Sequence, residues 1–183
     1  MSKKRKRSAE TAAKSFKKIL RDATDREPSA DETKAVRLAI KDFITSEAGG
    51  AEVLFRFILK AISNHRQTDL KRKRAIILMD YTFQKSKEFR GIVCSQLRPV
   101  IKKCCRGSED NVSDINNDPV ALYLLQCVHQ WNALFGAHYA ELSMVCRYYT
   151  ESVRVMDAKG VYYLYIYPSL YANTMYNILI TSS

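Results

Sequence analysis

The chain has 183 residues, 46% of them hydrophobic, with 30 Lys and Arg against 19 Asp and Glu and a formal net charge of +11. That length and hydrophobic fraction exclude a disordered polyelectrolyte and fit one domain with a sizeable core. Five Cys at the irregular positions 94, 104, 105, 127 and 146, with no C-x-x-C pair, speak against a disulfide framework and for the reduced thiols of cytosol or nucleus.

The basic run Lys3, Lys4, Arg5, Lys6 and Arg7 supplies five of the +11 charges, leaving +6 for everything else. Such a cluster reads as a nuclear import signal or a nucleic-acid-binding arm. Residues 1–8 are therefore expected to form a basic disordered arm. The sequence that follows, SAETAAKSFKK, has no apolar core, so no secretory signal is expected here.

From residue 9 to about 157 the pattern is helical. Ala12, Phe16, Ile19 and Leu20 make a first apolar stripe, which Glu27-Pro28 stops. Ser29 with Glu32 three residues on predicts a capping box, opening a helix striped by Val36, Ile40, Phe43 and Ile44. Gly49-Gly50 ends it. Val53, Leu54, Phe57, Ile58, Ala61 and Ile62 stripe the next helix. Thr68 is placed to cap a helix from about Asp69 to Lys85. Another begins near Lys87 and is expected to bend or break before Pro99, which lacks a backbone donor.

Residues 107–117, GSEDNVSDINN, form a polar stretch without pattern. Asp118-Pro119 then offers an N-cap and a preorganised first helical residue. Ala121, Leu124, Leu125, Val128, Trp131 and Phe135 stripe that helix, and Tyr139, Leu142, Cys146, Tyr149 and Val153 the last one. The expected fold is all-α, a right-handed stack of about six to seven helices.

The tail, residues 158–183, is of another kind. From Gly160 it has no charged residue and holds six of the eleven Tyr. A membrane span, a strand pair, and a translated intron or alternative end of the gene are the readings open for it. Pro168, Asn173 and Asn177 interrupt the first, and the A/T-rich codons of Tyr, Ile, Asn and Met favour the last.

No catalytic, cofactor or metal site is expected. There is no phosphate-cradling glycine motif and no H-E-x-x-H. Adjacent Cys104 and Cys105 point apart on a helix. Asp80 and Glu88 read as surface carboxylates among basic neighbours. His129 and His138 lack a third ligand by spacing, and a zinc site needs three or four. The run Lys71, Arg72, Lys73 and Arg74 is the candidate basic docking patch for an acidic segment or a phosphate backbone. Four consecutive residues wrap a helix, so at least one must approach the core stripe and snorkel its head outward.

Two stretches then carry a resemblance. FQKSKEFRGIVCSQLRPVI holds S-x-x-F-R as Ser86, Phe89 and Arg90. WNALFGAHYAELSMVCRYY holds W-N-x-x-F-G-x-x-Y as Trp131, Asn132, Phe135, Gly136 and Tyr139. Their order and separation resemble the N-terminal domain of the UV-stimulated scaffold protein A family, a VHS/ENTH-like helical fold. The resemblance covers about residues 15 to 155.

It implies a nuclear, chromatin-associated, non-enzymatic adaptor of transcription-coupled nucleotide excision repair. The implied partners are the Cockayne syndrome WD-repeat ubiquitin-ligase subunit and stalled RNA polymerase II. The family's TFIIH-recruiting and zinc-binding regions lie beyond this domain, so the chain is expected to be a truncated member. The ubiquitin contact of trafficking VHS domains resembles a Trp-x-x-Leu on the second helix. The segment AEVLFRFILKAI has no Trp, so ubiquitin is not an expected ligand by that route. The matched residues read as fold determinants, with Trp131 buried at a joint that Gly136 bends. A trafficking adaptor with the same fold, or a basic nucleic-acid-binding domain, are the alternatives.

Overall fold

A computed structural model describes residues 3–105, 115 and 118–156, with side chains described from Lys14 to Tyr149. Eight α-helices and one 3-10 turn make up the described residues, which contain no strand. They are α1 (Lys3–Asp25), α2 (Ala30–Ser46), α3 (Gly50–Ile62), α4 (Asp69–Lys85), α5 (Lys87–Ser95), α6 (Leu97–Cys104), α7 (Pro119–Phe135) and α8 (Ala140–Met156), with the 3-10 turn at Gly136–His138 between the last two.

The start signals act as their chemistry requires. Ser29 Oγ accepts the Glu32 N–H at 3.3 Å, and Glu32 Oε2 accepts the Ser29 N–H at 2.8 Å, which completes the capping box. Thr68 caps α4 through Lys71 N–H, and Asp118 Oδ1 accepts from Val120 and Ala121 at the start of α7. Gly49, with φ +75°, supplies the left-handed residue between α2 and α3.

Two expectations need correction. Helix α1 begins at Lys3, so the segment expected as a disordered arm forms its first turns. The helix expected to bend or break before Pro99 does break there, and the two helices it yields raise the number above the expected six to seven. It breaks at Gln96, whose φ of −117° and ψ of 13° leave the helical region. Pro99 then sits in the first turn of α6, where a missing N–H breaks no intrahelical bond. Of the polar stretch 107–117 only Ile115 is described, and it is fully buried. The tail from 158 lies outside the described residues.

The core runs the length of the stack. Phe16 of α1 stacks on Phe43 of α2 at 3.9 Å between ring centroids, closing one end. Leu54, Ile58 and Ile62 of α3 pack with Ile76, Met79 and Phe83 of α4, all essentially without exposure. Helix α7 lies against α4, α6 and α8. No helix among the described residues is long and apolar enough to cross a membrane.

Candidate functional site

The two motif stretches, separated by more than a helix in the chain, meet at the junction of α4, α5 and α7. Trp131 is fully buried and stacks on Phe83 with centroids 4.0 Å apart and planes 12° apart. Its indole N–H donates to Asp80 Oδ1 at 2.6 Å, and the Gln84 amide donates to the same carboxylate at 3.0 Å. Phe135 meets the other side of the arrangement edge-on, 5.7 Å from Phe83. Arg90 lies over the Phe135 ring at 4.2 Å while its Nη1 donates to the carbonyls of Phe83 (2.8 Å) and Gln84 (3.1 Å). Those carbonyls end α4 and have no partner within the helix, so a cation there answers both the hydrogen-bond need and the helix dipole.

The remaining motif residues hold the same junction. Ser86 ends α4 through its N–H and caps α5 through its side chain, accepting from Phe89 N–H at 3.2 Å. Phe89 is fully buried and meets Phe55 of α3 edge-on at 6.3 Å. Ser143 Oγ sits between Asn132 Oδ1 (2.9 Å) and the Gly136 carbonyl (3.1 Å), tying α8 back to the end of α7. Tyr139 is half-buried, and its carbonyl accepts from Leu142 and Ser143 at the start of α8.

Gly136 does bend the chain, for a reason other than backbone freedom. Its φ of −58° and ψ of −31° suit any residue. A Cβ there would lie 2.9 Å from Ser143 Oγ and closer still to Asn132 Oδ1. The glycine makes room for the Asn132–Ser143 bond. Asp80 is corrected as well: it is half-buried and accepts from Trp131 and Gln84, where a surface carboxylate was expected.

The docking patch at 71–74 is broken up. Arg72 has no exposed side-chain surface, and its guanidinium points inward. Nε donates to the Ile62 carbonyl at 2.8 Å and Nη2 to the Cys104 carbonyl; Nη1 lies 3.8 Å from Asp118 Oδ2 and 3.6 Å from Asp69 Oδ1. One arginine thus gathers the ends of α3 and α6 and the start of α7 onto α4. Lys71 pairs with Asp25 of α1, and Lys73 and Arg74 are half-buried. The signal was present in the sequence. Counting back along the stripe Phe83, Thr82, Met79, Ile76 and Ala75 by helical steps arrives at position 72.

Sequence reading also missed a contact between Cys146 Sγ and His129 Nδ1 at 3.4 Å, across α7 and α8. No group of three or more potential metal ligands occurs among the described residues. Burial pushes the Cys94 thiol up to about 11 and the Cys104 thiol up to about 12, and holds Cys127 well above its ordinary value. These three stay protonated at neutral pH and are poor nucleophiles. Lys3–Arg7 lie in α1, with side chains outside the described set.

Apolar side chains reach solvent at Leu134 on α7 and at Met144 and Tyr148 on α8, each about half or more exposed. Arg98 of α6 lies 5.8 Å from the Tyr148 ring. No protein-family model, curated protein or solved structure matches the chain.

Proposed function

We propose that this domain is a non-enzymatic nuclear adaptor of transcription-coupled nucleotide excision repair, built as a right-handed VHS/ENTH-like stack. On this reading it binds the Cockayne syndrome WD-repeat ubiquitin-ligase subunit and the stalled RNA polymerase II complex, as the resemblance to the UV-stimulated scaffold protein A family implies. The observation that supports it is the meeting of both motif stretches in one junction: Arg90 lies over Phe135 and donates to the Phe83 carbonyl, while Trp131 and Phe135 both pack on Phe83. Residues that carry a family resemblance and also lock one helix junction together are the residues a shared fold would need.

An adaptor of this kind works through its outer surface. Leu134, Met144 and Tyr148 are exposed apolar side chains at which a protein partner gains buried area. The test is affinity capture by the full chain from nuclear extract, with and without ultraviolet irradiation. Recovery of the ligase subunit and the polymerase supports the reading. Recovery of coat or endosomal proteins in their place overturns it and assigns the stack to membrane traffic.

A further inference from the structure

With Arg72 in the core, the densest run of basic residues left in the sequence is that of α1. This helix carries nine Lys and Arg against Glu10, Asp22 and Asp25, a net charge of +6 out of the chain's +11. Lys14, Lys17, Lys18 and Arg21 are all exposed. At 100° per residue they fall within an arc of roughly 100°, a straight row whose successive turns are about 5 Å apart. Phe16, Leu20 and Ala23 occupy the opposite side and are buried.

We infer that the outer face of α1 is a binding surface for the phosphate backbone of duplex nucleic acid. Four observations select this partner. The apolar face of α1 is already engaged, with Phe16 stacked on Phe43, so the helix has no free face to insert into a lipid interface. Among the described side chains of α1 the one aromatic, Phe16, is buried, so the exposed cations offer no base-stacking partner on their own helix. Lys3–Arg7 continue the charge along the same helix, whose 23 residues span about 34 Å. A cationic rod of that length matches an extended polyanion, and a duplex presents about one charge per 1.7 Å of axis. Finally, α1 has no acidic residue in its first turn and keeps Lys3–Arg7 at the end where the helix dipole disfavours cations.

Binding of this kind is independent of base sequence and sensitive to salt. It goes beyond the adaptor reading and does not depend on it. The surface would let the domain rest on DNA while another face holds a protein.

The test follows binding of the full chain to a fluorescein-labelled DNA duplex by anisotropy, across a series of salt concentrations. A quadruple variant carries Lys14→Ala, Lys17→Ala, Lys18→Ala and Arg21→Ala. Its control removes the same charge from other exposed positions, through Lys34→Ala, Lys41→Ala, Lys60→Ala and Lys87→Ala. Circular dichroism checks that both retain the helical fold. The expected result is steep loss of wild-type affinity with salt, and a slope of log affinity on log salt lower by about 3–4 in the α1 variant only. At 0.1 M salt its Kd should rise at least tenfold. Failure of the wild type to bind at low salt, or equal weakening by the control, overturns the proposal. Competition by polyglutamate as effective as by unlabelled duplex, at equal charge, overturns it in favour of an acidic protein segment. Protein capture by the α1 variant keeps this outcome separate from the fate of the adaptor reading.

Discussion

Two clusters of four cations meet different fates in this molecule. Lys14, Lys17, Lys18 and Arg21 are spaced by helical steps, so one arc of α1 displays them all. Lys71, Arg72, Lys73 and Arg74 are consecutive, so they wrap α4, and the second of them falls on its core stripe. Spacing, and not the number of charges, decides whether a basic run is a surface. The same comparison separates two kinds of polar group. Arg72 and Asp118 in the α3–α4–α6–α7 interior are buried beside one another, whereas the described charged side chains of α1 are exposed.

The comparison breaks if Arg72 proves dispensable. Arg72→Met removes the cation beside buried Asp118 and leaves the Ile62 and Cys104 carbonyls without it. Urea denaturation should show a loss of about 3–5 kcal/mol, because an uncompensated charge remains buried. Lys18→Ala on the exposed arc should stay within about 0.5 kcal/mol. Equal costs at the two sites would dissolve the distinction.

Trp131→Ala tests the other half of the interior. It empties the space against Phe83 and leaves Asp80 with Gln84 but without its indole donor, and should cost about 3–5 kcal/mol by the same measurement. Trp131→Phe keeps most of the stacking surface and loses the indole donor. Its cost should be smaller, about 1–3 kcal/mol. An unchanged melting temperature in Trp131→Ala would refute the junction as described.

Gly136→Ala sharpens the point at closer range. Its Cβ would crowd Asn132 and Ser143, costing about 1–3 kcal/mol. Adding Asn132→Ala should recover part of that loss, a coupling that a double-mutant cycle reads directly. A purely conformational role for the glycine would give no such recovery.

The smallest effect belongs to the exposed corner of α1 and α2. The Arg26 guanidinium and the Ser29 N–H hold the Glu32 carboxyl at about 2, below its usual 4.5. A lowered folded-state value means that Glu32 contributes stability above its unfolded value and loses it as pH falls from about 4.5 through about 2. Glu32→Gln should flatten the stability profile across that window and leave the profile near neutrality parallel to the wild type. Both side chains are open enough to solvent for it to screen the pair, which keeps the effect slight.

Much of the scaffold was legible in the residues. Ser29-Glu32, Thr68 and Asp118-Pro119 announce helix starts because a side-chain oxygen at that offset satisfies a donor that the helix cannot. The stripes of α2, α3 and α7 announce their buried faces because helical periodicity repeats over several turns. The break at Gln96 was harder to place to the residue, since Pro99 announces a break before it without fixing how far before.

Of the candidate site, the sequence by itself determined the chemistry available and the positions along each helix. It gave Trp131 and Phe135 one stripe and put Arg72 on another. What only the tertiary structure decided is which stripes face each other. Asp80 becomes the acceptor of Trp131 because α4 lies against α7, and Arg72 turns inward because the carbonyl ends of α3 and α6 and the carboxylate of Asp118 converge around it. Local periodicity records the direction in which a side chain leaves its own helix. Whether that direction leads to water or to two carbonyls and a carboxylate depends on contacts between helices, which local periodicity does not encode.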